Sequence, residues 1–376
     1  MRKGVVVNIE ATLKSVAAAV EAAELMSGRA VDGCWASIGG NNIEGLISRG
    51  VVAVNGKSRE NREISQKDVE RVLEAARAVD FSMDRQILEV IPLAYKVDNQ
   101  SGIRNPLDMI GVRLESEVHI ITCSMTSAQN LVTCVNRAGL HVNGLILQSL
   151  AAGRAVLTEE EKELGVVLID LGGGTTGVLG YSQGTPFLQA GIPAGSSQVT
   201  SDISIVKGVS LEAAEKIKVT AGCCWPPLLQ DNPEDILVPG SGGRAPLTIP
   251  RIQVAQIIQP RIVEIFDMVR EKIAPHTEKR VFGGGVVITG GGANLLGIAD
   301  LAAEFFKMPV RVGSPLSTGG LAADYCNPSF ATAVGLVLEG GARENESGDH
   351  KKKADIRLPE FNFIRRFFDW IKREFF

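Results

Sequence analysis

The chain of 376 residues lacks the features that mark several classes of protein. Only four residues are histidine, and the six cysteines show no C-x-x-C spacing, so the sequence indicates neither a metal cluster nor a disulfide framework. No apolar run reaches the ~18 residues of a membrane-spanning helix. The N-terminus also lacks the apolar segment of a signal peptide. We therefore expect reduced thiols and a cytoplasmic protein.

Charge is distributed unevenly along the chain. The net charge is −4, yet residues 351–376 carry eight basic and four acidic side chains, which leaves the rest of the chain strongly acidic. An acidic body argues against nucleic acid as a partner, and a basic terminal segment indicates contact with an anionic surface. Length and a hydrophobic content of 45% fit a globular protein with more than one core.

The most informative stretch is a buried-strand pattern that ends in three glycines. An uncharged apolar run from residue 166 ends at Asp170 and is followed by Gly172, Gly173, Gly174, Thr175 and Thr176. Glycine N–H groups without side-chain cover can form an anion-binding nest, and threonine hydroxyls can donate to the same anion. A carboxylate at this point can bind phosphate-associated Mg²⁺. The stretch predicts a phosphate-binding turn; the alternative is an ordinary glycine-rich connection between strands.

A second stretch of the same form lies more than a hundred residues further along the chain. Residues 286–289 again have the pattern of a buried strand, and Gly290, Gly291 and Gly292 follow before a helix. Two such turns are what a nucleotide clamped between two lobes requires.

Both turns resemble those of the actin/Hsp70/sugar-kinase ATPases, in which they form the second phosphate loop and the adenosine loop. Four stretches narrow the resemblance to the FtsA family of bacterial cell-division proteins: Leu145–Leu157, Asp170–Thr176, Leu211–Lys218 and Asn327–Gly335. The resemblance covers residues 1–340. It implies an α/β protein with an actin-like two-lobe ATPase fold, an inserted α/β subdomain and a C-terminal amphipathic helix.

The resemblance and the sequence pattern together divide the chain into parts. We expect the lobe I core at residues 1–30 and 117–165, the inserted subdomain at 31–116, lobe II at 166–340, a flexible linker at 341–360 and the amphipathic helix at 361–376. Within lobe II, residues 200–282 resemble a subdomain that receives the C-terminal peptide of FtsZ. In the family, the inserted subdomain contacts neighbouring subunits and other division proteins.

The first residues depart from the family pattern. Actin-like ATPases open with a β-hairpin that carries a first phosphate loop. This sequence begins instead with a short apolar run, Gly4–Val7, followed by Asn8 as a candidate N-cap and helical spacing from Ile9 to about Met26. The resemblance therefore implies either a start codon set too late or a truncated product, with half of the phosphate clasp missing.

The resemblance assigns roles to residues outside the two turns. Gln148 matches a water-orienting glutamine, and Gly195 matches a glycine that approaches the phosphates. Glu215 and Lys218 match residues that hold the ribose and flank the adenine. The alternative for Gln148 is an ordinary polar residue at the end of a strand. The alternative for Glu215 and Lys218 is a solvated, charged face of a helix.

The implied cofactors are ATP and Mg²⁺, with Asp170 at the metal. Gly177 stands where the family has an aspartate after the two threonines. We therefore expect ATP hydrolysis to be weak or absent, and enzymatic activity is left open.

Residues 258–261, Ile-Gln-Pro-Arg, resemble a signature of the FtsA subdomain that receives the FtsZ peptide. Arg261 is accordingly a candidate partner for that acidic peptide; the alternative is an ordinary surface arginine.

The last sixteen residues, 361–376, divide into an aromatic face and a basic face. They hold seven of the nineteen aromatic residues of the chain. Such a helix is typical of a segment that lies in the headgroup region of an anionic membrane, and the alternative is docking on the protein's own body or in a partner's groove. The candidate membrane-binding residues are Phe361, Ile364, Arg365, Arg366, Phe367, Phe368, Trp370, Ile371, Lys372, Arg373 and Phe375.

Together these observations predict an actin-like ATP-binding cell-division protein that anchors FtsZ filaments to the cytoplasmic side of the inner membrane at the septum. The expected partners are the FtsZ C-terminal peptide, further copies of the chain in a head-to-tail polymer, anionic lipids and other division proteins. Two alternatives remain: a nucleotide-binding scaffold of a pilus or secretion machine, and an actin-fold ATPase or kinase with a small-molecule substrate.

Overall fold

The structure is a computed structural model that describes residues 4–54, 63–230, 234–238, 245–277, 280–316 and 323–350, with side chains to residue 344 in the last range. The predicted amphipathic helix at 361–376, with all its candidate membrane-binding residues, lies outside the described residues.

The described ranges alternate between helices and strands. The helices are α1 (Ile9–Ser27), α2 (Gln66–Arg77), α3 (Met125–Arg137), α4 (Gln148–Val156), α5 (Glu159–Leu164), α6 (Ser196–Lys207), α7 (Leu211–Ala221), α8 (Arg251–Thr277), α9 (Ile298–Phe306) and α10 (Ala331–His350). The strands are β1 (Gly33–Ile38), β2 (Ile43–Ala53), β3 (Arg85–Val97), β4 (Gln100–Ile103), β5 (Arg113–Ser124), β6 (His141–Leu147), β7 (Val166–Leu171), β8 (Thr176–Ser182), β9 (Thr185–Ile192), β10 (Asp235–Val238), β11 (Leu247–Pro250), β12 (Val286–Thr289) and β13 (Val310–Val312).

A five-stranded sheet in the order β13-β12-β7-β8-β9 forms the centre of the C-terminal half. Strands β13, β12 and β7 are parallel, and β8 and β9 continue the sheet in antiparallel fashion. Every residue of β7 is buried, as its uncharged sequence predicts, because both faces of the strand are covered. Val167 and Ile169 pack in the cluster that includes Phe266 of α8, and Leu168 packs on the opposite side with residues of α4 and α10.

Helices α4 and α10 cross closely on one face of this sheet. Small residues of α4 are buried, among them Ala151, Ala152 and Ala155. At the crossing, a side-chain carbon on Gly335 of α10 would overlap the Ala151 carbonyl. The absence of a side chain at Gly335 is therefore what lets the two backbones approach.

A smaller parallel pair, β1 and β6, lies at the N-terminal side and leads into α4. Asn8 caps helix α1 as predicted, since its side chain accepts a hydrogen bond from the Ala11 N–H at 2.9 Å. It packs beside α3 with most of its surface exposed.

The inserted subdomain is a four-stranded antiparallel sheet in the order β2-β5-β3-β4, with α2 on one face. Helix α2 begins with a capping box, in which the Asp68 carboxylate accepts from the Ser65 N–H at 3.1 Å. The sheet runs from Ile43 to Ser124, whereas the sequence predicted an insert at 31–116. The bounds differ because β1 pairs with β6 outside the insert and β5 continues unbroken to Ser124.

Helix α10 extends further than the sequence predicted, so residues 341–350 are helical where a linker was expected. Long-range contacts hold this end of the helix. The Arg343 guanidinium pairs with Glu89 of β3 at 2.9 Å, and the Trp35 indole N–H donates to Glu344 at 3.2 Å.

The described part of the stretch between Trp225 and Leu247, which is rich in Pro, Gly, Asp and Asn, contains a strand. Strand β10 lies within it and pairs with β11 in antiparallel register.

Among the described helices, none has the combination of length and apolar sequence needed to cross a lipid bilayer.

Candidate functional site

The two glycine turns lie side by side at one edge of the five-stranded sheet. Strands β7 and β12 are parallel neighbours with Thr289 opposite Asp170, so the turns that follow them leave the sheet together. Both turns fall within residues 166–340, the range in which the sequence placed lobe II. Neighbouring parallel strands end at the same edge, and both turns belong to the C-terminal lobe.

The second turn is shaped by contact with the first strand. Gly290 has φ +84°, and a side-chain carbon there would lie 2.5 Å from Oδ1 of Asp170. A side chain at Gly292 would overlap that of Leu171. At Gly291, by contrast, the nearest atom would be 3.7 Å away. The outer two glycines are thus required by packing, while Gly291 borders open space.

The first turn is held by hydrogen bonds within itself and from the start of α6. The Gly172 N–H donates to the Thr175 carbonyl at 3.0 Å, which closes the turn. The first N–H groups of α6, at Ser196 and Ser197, donate to the carbonyls of Gly172 and Gly173 at 2.9 and 2.7 Å.

Gly195 permits this approach of α6 to the turn. A side-chain carbon at Gly195 would lie 2.6 Å from the Gly172 carbonyl oxygen. The structure therefore brings Gly195 against the glycine turn. Its approach to bound phosphates stays a prediction.

The two threonines after the glycines have different environments. The Thr176 hydroxyl donates to the Ala194 carbonyl at 2.8 Å and is fully buried. The prediction that both hydroxyls donate to a phosphate is therefore wrong for Thr176, which holds the loop before α6. Thr175 borders a cavity beside the turn.

Asp170 lies at the carboxyl end of β7 and is only 2% exposed. Its Oδ2 accepts from the Gln148 side-chain amide at 3.0 Å and from the Thr332 hydroxyl at 3.4 Å. Burial raises the pKa of Asp170, and both of these hydrogen-bond donors are neutral. A buried carboxylate with neutral partners is costly to ionise unless a cation joins it, so this environment fits a nucleotide-bound Mg²⁺.

Within the described residues, no group of three or more His, Cys, Asp or Glu could hold a metal ion. Asp170 would therefore share Mg²⁺ with phosphate oxygens and water, which is how proteins commonly bind this ion. Gly177 pairs with Asp170 across β7 and β8, and a side chain there would lie beside the Asp170 side chain. This position supplies no second carboxylate.

Gln148 is the first residue of α4 and reaches the site directly. Its amide N–H donates to Asp170, and its Oε1 would lie 2.6 Å from a side-chain carbon on Gly39. Its side chain thus bridges β7 and the turn after β1. Whether Gln148 also orients a water molecule stays a prediction.

Glu215 and Lys218 pair on α7, as their spacing predicts, and they also contact α6. Lys218 Nζ lies 2.7 Å from Glu215 Oε2 and donates to Thr200 Oγ1 at 2.9 Å and to the Ser196 carbonyl at 3.3 Å. Burial alone would raise the pKa of Glu215, but hydrogen bonds from Lys218 and Thr200 outweigh it and lower the pKa. The pair is thereby linked to the helix that holds the first turn.

Sequence reasoning missed Thr200, although it lies one turn of α6 after Ser196 and its hydroxyl donates to Glu215. No local pattern marks Thr200, because its partner Glu215 lies fifteen residues away on another helix.

Arg261 on α8 is already engaged. Its guanidinium makes two hydrogen bonds to Asp202 of α6, at 2.6 and 3.0 Å, and also pairs with Glu264. The sequence did not indicate Asp202 as its partner, since the two residues are far apart in the chain.

The central sheet, the crossing helices α4 and α10 and the two turns define the class of the protein: an α/β protein with an actin-like fold. The structure is similar to a chain of a solved PilM-PilN type IV pilus biogenesis complex, with a TM-score of 0.61 and 16% identity over 90% of this chain and 88% of that chain. This likeness concerns the fold alone.

Sequence comparison is more specific. Residues 167–335 match the family model described as cell division protein FtsA, and residues 40–122 match the SHS2 domain inserted in FtsA. The chain is 44% identical to the cell division protein FtsA of Borreliella burgdorferi, across all of this chain and 90% of that protein. It is 38% identical to that of Pseudomonas aeruginosa, across all of this chain and 89% of that protein. The chain belongs to the FtsA family of cell-division proteins, which confirms the resemblance.

Replacing Gly290 with alanine should destabilise the free protein by about 1–3 kcal/mol, because the side chain strains a positive-φ residue and collides with Asp170. Chemical denaturation measures this loss. Gly291→Ala is the matched control, and its free energy of unfolding should stay within about 0.5 kcal/mol of wild type. Equal stabilities for the two variants would contradict the described packing of the second turn on β7.

Proposed function

We propose that this actin-like cell-division protein binds ATP with Mg²⁺ at the paired glycine turns and anchors FtsZ filaments to the inner membrane at the septum. The observation that carries the proposal is the adjacency of the two turns around one buried carboxylate. Asp170 is contacted by α4 through Gln148 and by α10 through Thr332, so a ligand there touches both crossing helices.

Residues of this chain suit each part of the nucleotide. The N–H groups of Gly173 and Gly174 in the first turn and the Thr175 hydroxyl would hold phosphates, and Asp170 would hold Mg²⁺. Glu215 can accept from ribose hydroxyls, and the Lys218 stem can cover a base. Bound Mg²⁺ supplies the positive charge that the Asp170 environment lacks.

Binding, rather than rapid hydrolysis, suits this site best. Position 177 holds no carboxylate, and the Gln148 amide is committed to Asp170. The nucleotide would then act as a ligand that fixes the relative position of α4 and α10, and thereby of the lobes. An ordered chain can assemble head to tail, and a polymer multiplies a weak membrane anchor through avidity.

Arg261 and Asp202 should affect FtsZ binding in opposite directions. The FtsZ peptide carries carboxylates that would compete with Asp202 for the Arg261 guanidinium. Arg261→Ala should weaken binding of the FtsZ C-terminal peptide roughly tenfold, because it removes a charge-assisted contact. Asp202→Asn should strengthen binding, because it releases the guanidinium. Fluorescence anisotropy with a labelled peptide measures both.

The thermal stability of both variants serves as the control for folding. Unchanged peptide affinity in folded Arg261→Ala would exclude Arg261 from the FtsZ site. Weaker binding in Asp202→Asn would show that the ion pair supports the site instead of competing with the peptide.

Removal of residues 361–376 should abolish binding to vesicles that contain an anionic phospholipid, because these residues carry the aromatic and basic faces. Vesicle flotation measures the bound fraction. Asp369→Ala is the control, since it keeps every aromatic residue and removes a negative charge; its binding should equal or exceed that of wild type. Full membrane retention of the shortened chain would refute direct anchoring by this segment.

A further inference from the structure

A cavity of about 460 Å³ borders the first glycine turn, and one of its walls is formed by residues that have no assigned role in ligand binding. Gly174 and Thr175 line it from the turn, and Gln148 lines it from α4. The opposite wall comes from the N-terminal half of the chain and includes Gly39 and Asn42. The cavity therefore lies where the two halves of the molecule meet.

The wall at residues 39–42 is itself a glycine turn at the end of a parallel strand. The sequence Gly-Gly-Asn-Asn follows β1, as the other glycine turns follow β7 and β12, and Gly40 has φ +95°. A side chain at Gly39 would collide with Gln148, so the turn is held against the same glutamine that contacts Asp170.

Asn42 has an unusual hydrogen-bonding situation. Its carbonyl accepts from the Ser124 N–H at 3.2 Å and from the Arg85 guanidinium at 3.3 Å, so its backbone is fixed. Its side-chain Oδ1 and Nδ2 are both buried, and neither has a hydrogen-bond partner among the described residues. Buried polar groups normally have partners, because a buried group without one is destabilising. A ligand in the cavity would supply the missing partner.

The contacts of the first turn indicate which end of it would face the adenosine of a bound nucleotide and which end the phosphates. Gly172 and Gly173 contact the start of α6, which Lys218 also contacts through Ser196. A nucleotide with its adenosine at α7 would thus approach the turn at that end. Its phosphate chain would run along the turn towards Gly174, where the cavity begins.

We propose that Asn42 is a nucleotide-binding residue whose Nδ2–H donates to the terminal phosphate of ATP in this cavity. The inference rests on the proposed ATP binding and adds a contact from the opposite wall of the cleft. A carboxamide suits this role because it donates to a phosphate oxygen without adding charge. Asn42 immediately precedes β2, the first strand of the inserted subdomain, so the terminal phosphate would also fix the base of that subdomain.

The test compares Asn42→Ala with Asn41→Ala, its exposed neighbour, in the full chain. Isothermal titration with ATP and with ADP, both with Mg²⁺, measures affinity. Asn42→Ala should bind ATP roughly tenfold more weakly, since one hydrogen bond to a charged group is lost. Its ADP affinity should stay within about twofold of wild type, and Asn41→Ala should match wild type for both nucleotides.

Unliganded thermal stability separates ligand binding from a structural role. Asn42→Ala should melt no lower than wild type, because the substitution removes polar atoms that have no partner. A lower melting temperature with an unchanged ratio of ATP to ADP affinity would overturn the inference in favour of a structural role. Saturable binding of inorganic phosphate that ATP does not displace would overturn it in favour of a separate phosphate site.

The inference and the proposed function fail in different ways. Wild-type chain that binds ATP, with equal affinity in Asn42→Ala, overturns the role of Asn42 alone. Wild-type chain that binds no ATP overturns the proposed function and this inference with it.

Discussion

The burial of the Asp170 carboxylate at the end of β7 is the constraint on which the candidate site depends. Three elements meet at this group: α4 through Gln148, α10 through Thr332, and the second glycine turn, where only glycine fits at position 290. Burial raises the pKa of Asp170, and its hydrogen-bond donors are neutral. A bound cation would therefore stabilise the ionised carboxylate. A nucleotide-bound Mg²⁺ would complete the site.

The same group connects the site to the rest of the molecule. Helix α4 continues from β6 in the N-terminal half, and α10 crosses it where Gly335 meets Ala151. The far end of α10 pairs with the inserted subdomain through Arg343 and Glu89. Ligand binding at Asp170 can therefore bias how the lobes and the insert are arranged, because tightly packed helices move as units. The proposed function, in which assembly rather than turnover responds to nucleotide, depends on this connection.

Local features of the fold were predictable from sequence, and long-range contacts were not. The buried strand β7, the cap at Asn8 and the start of α2 follow from neighbouring residues. The pairing of Arg261 with Asp202 and the extension of α10 depend on partners far away in the chain, which no local pattern encodes. For the candidate site, the glycines and Asp170 were predicted from their pattern. Two features of the site could not be predicted, because they depend on how the strands pair. They are the hydrogen bond from Thr176 to Ala194 and the position of Asn42 on the cavity wall.

Hydrogen–deuterium exchange of the chain with and without ATP and Mg²⁺ tests the central claim most directly, because it reports on both glycine turns in one experiment. If the turns form one nucleotide site, the amides of residues 172–175 and 290–294 should gain protection together at the same nucleotide concentration. Protection at one turn only, or at neither, would contradict the assignment of a single site around Asp170.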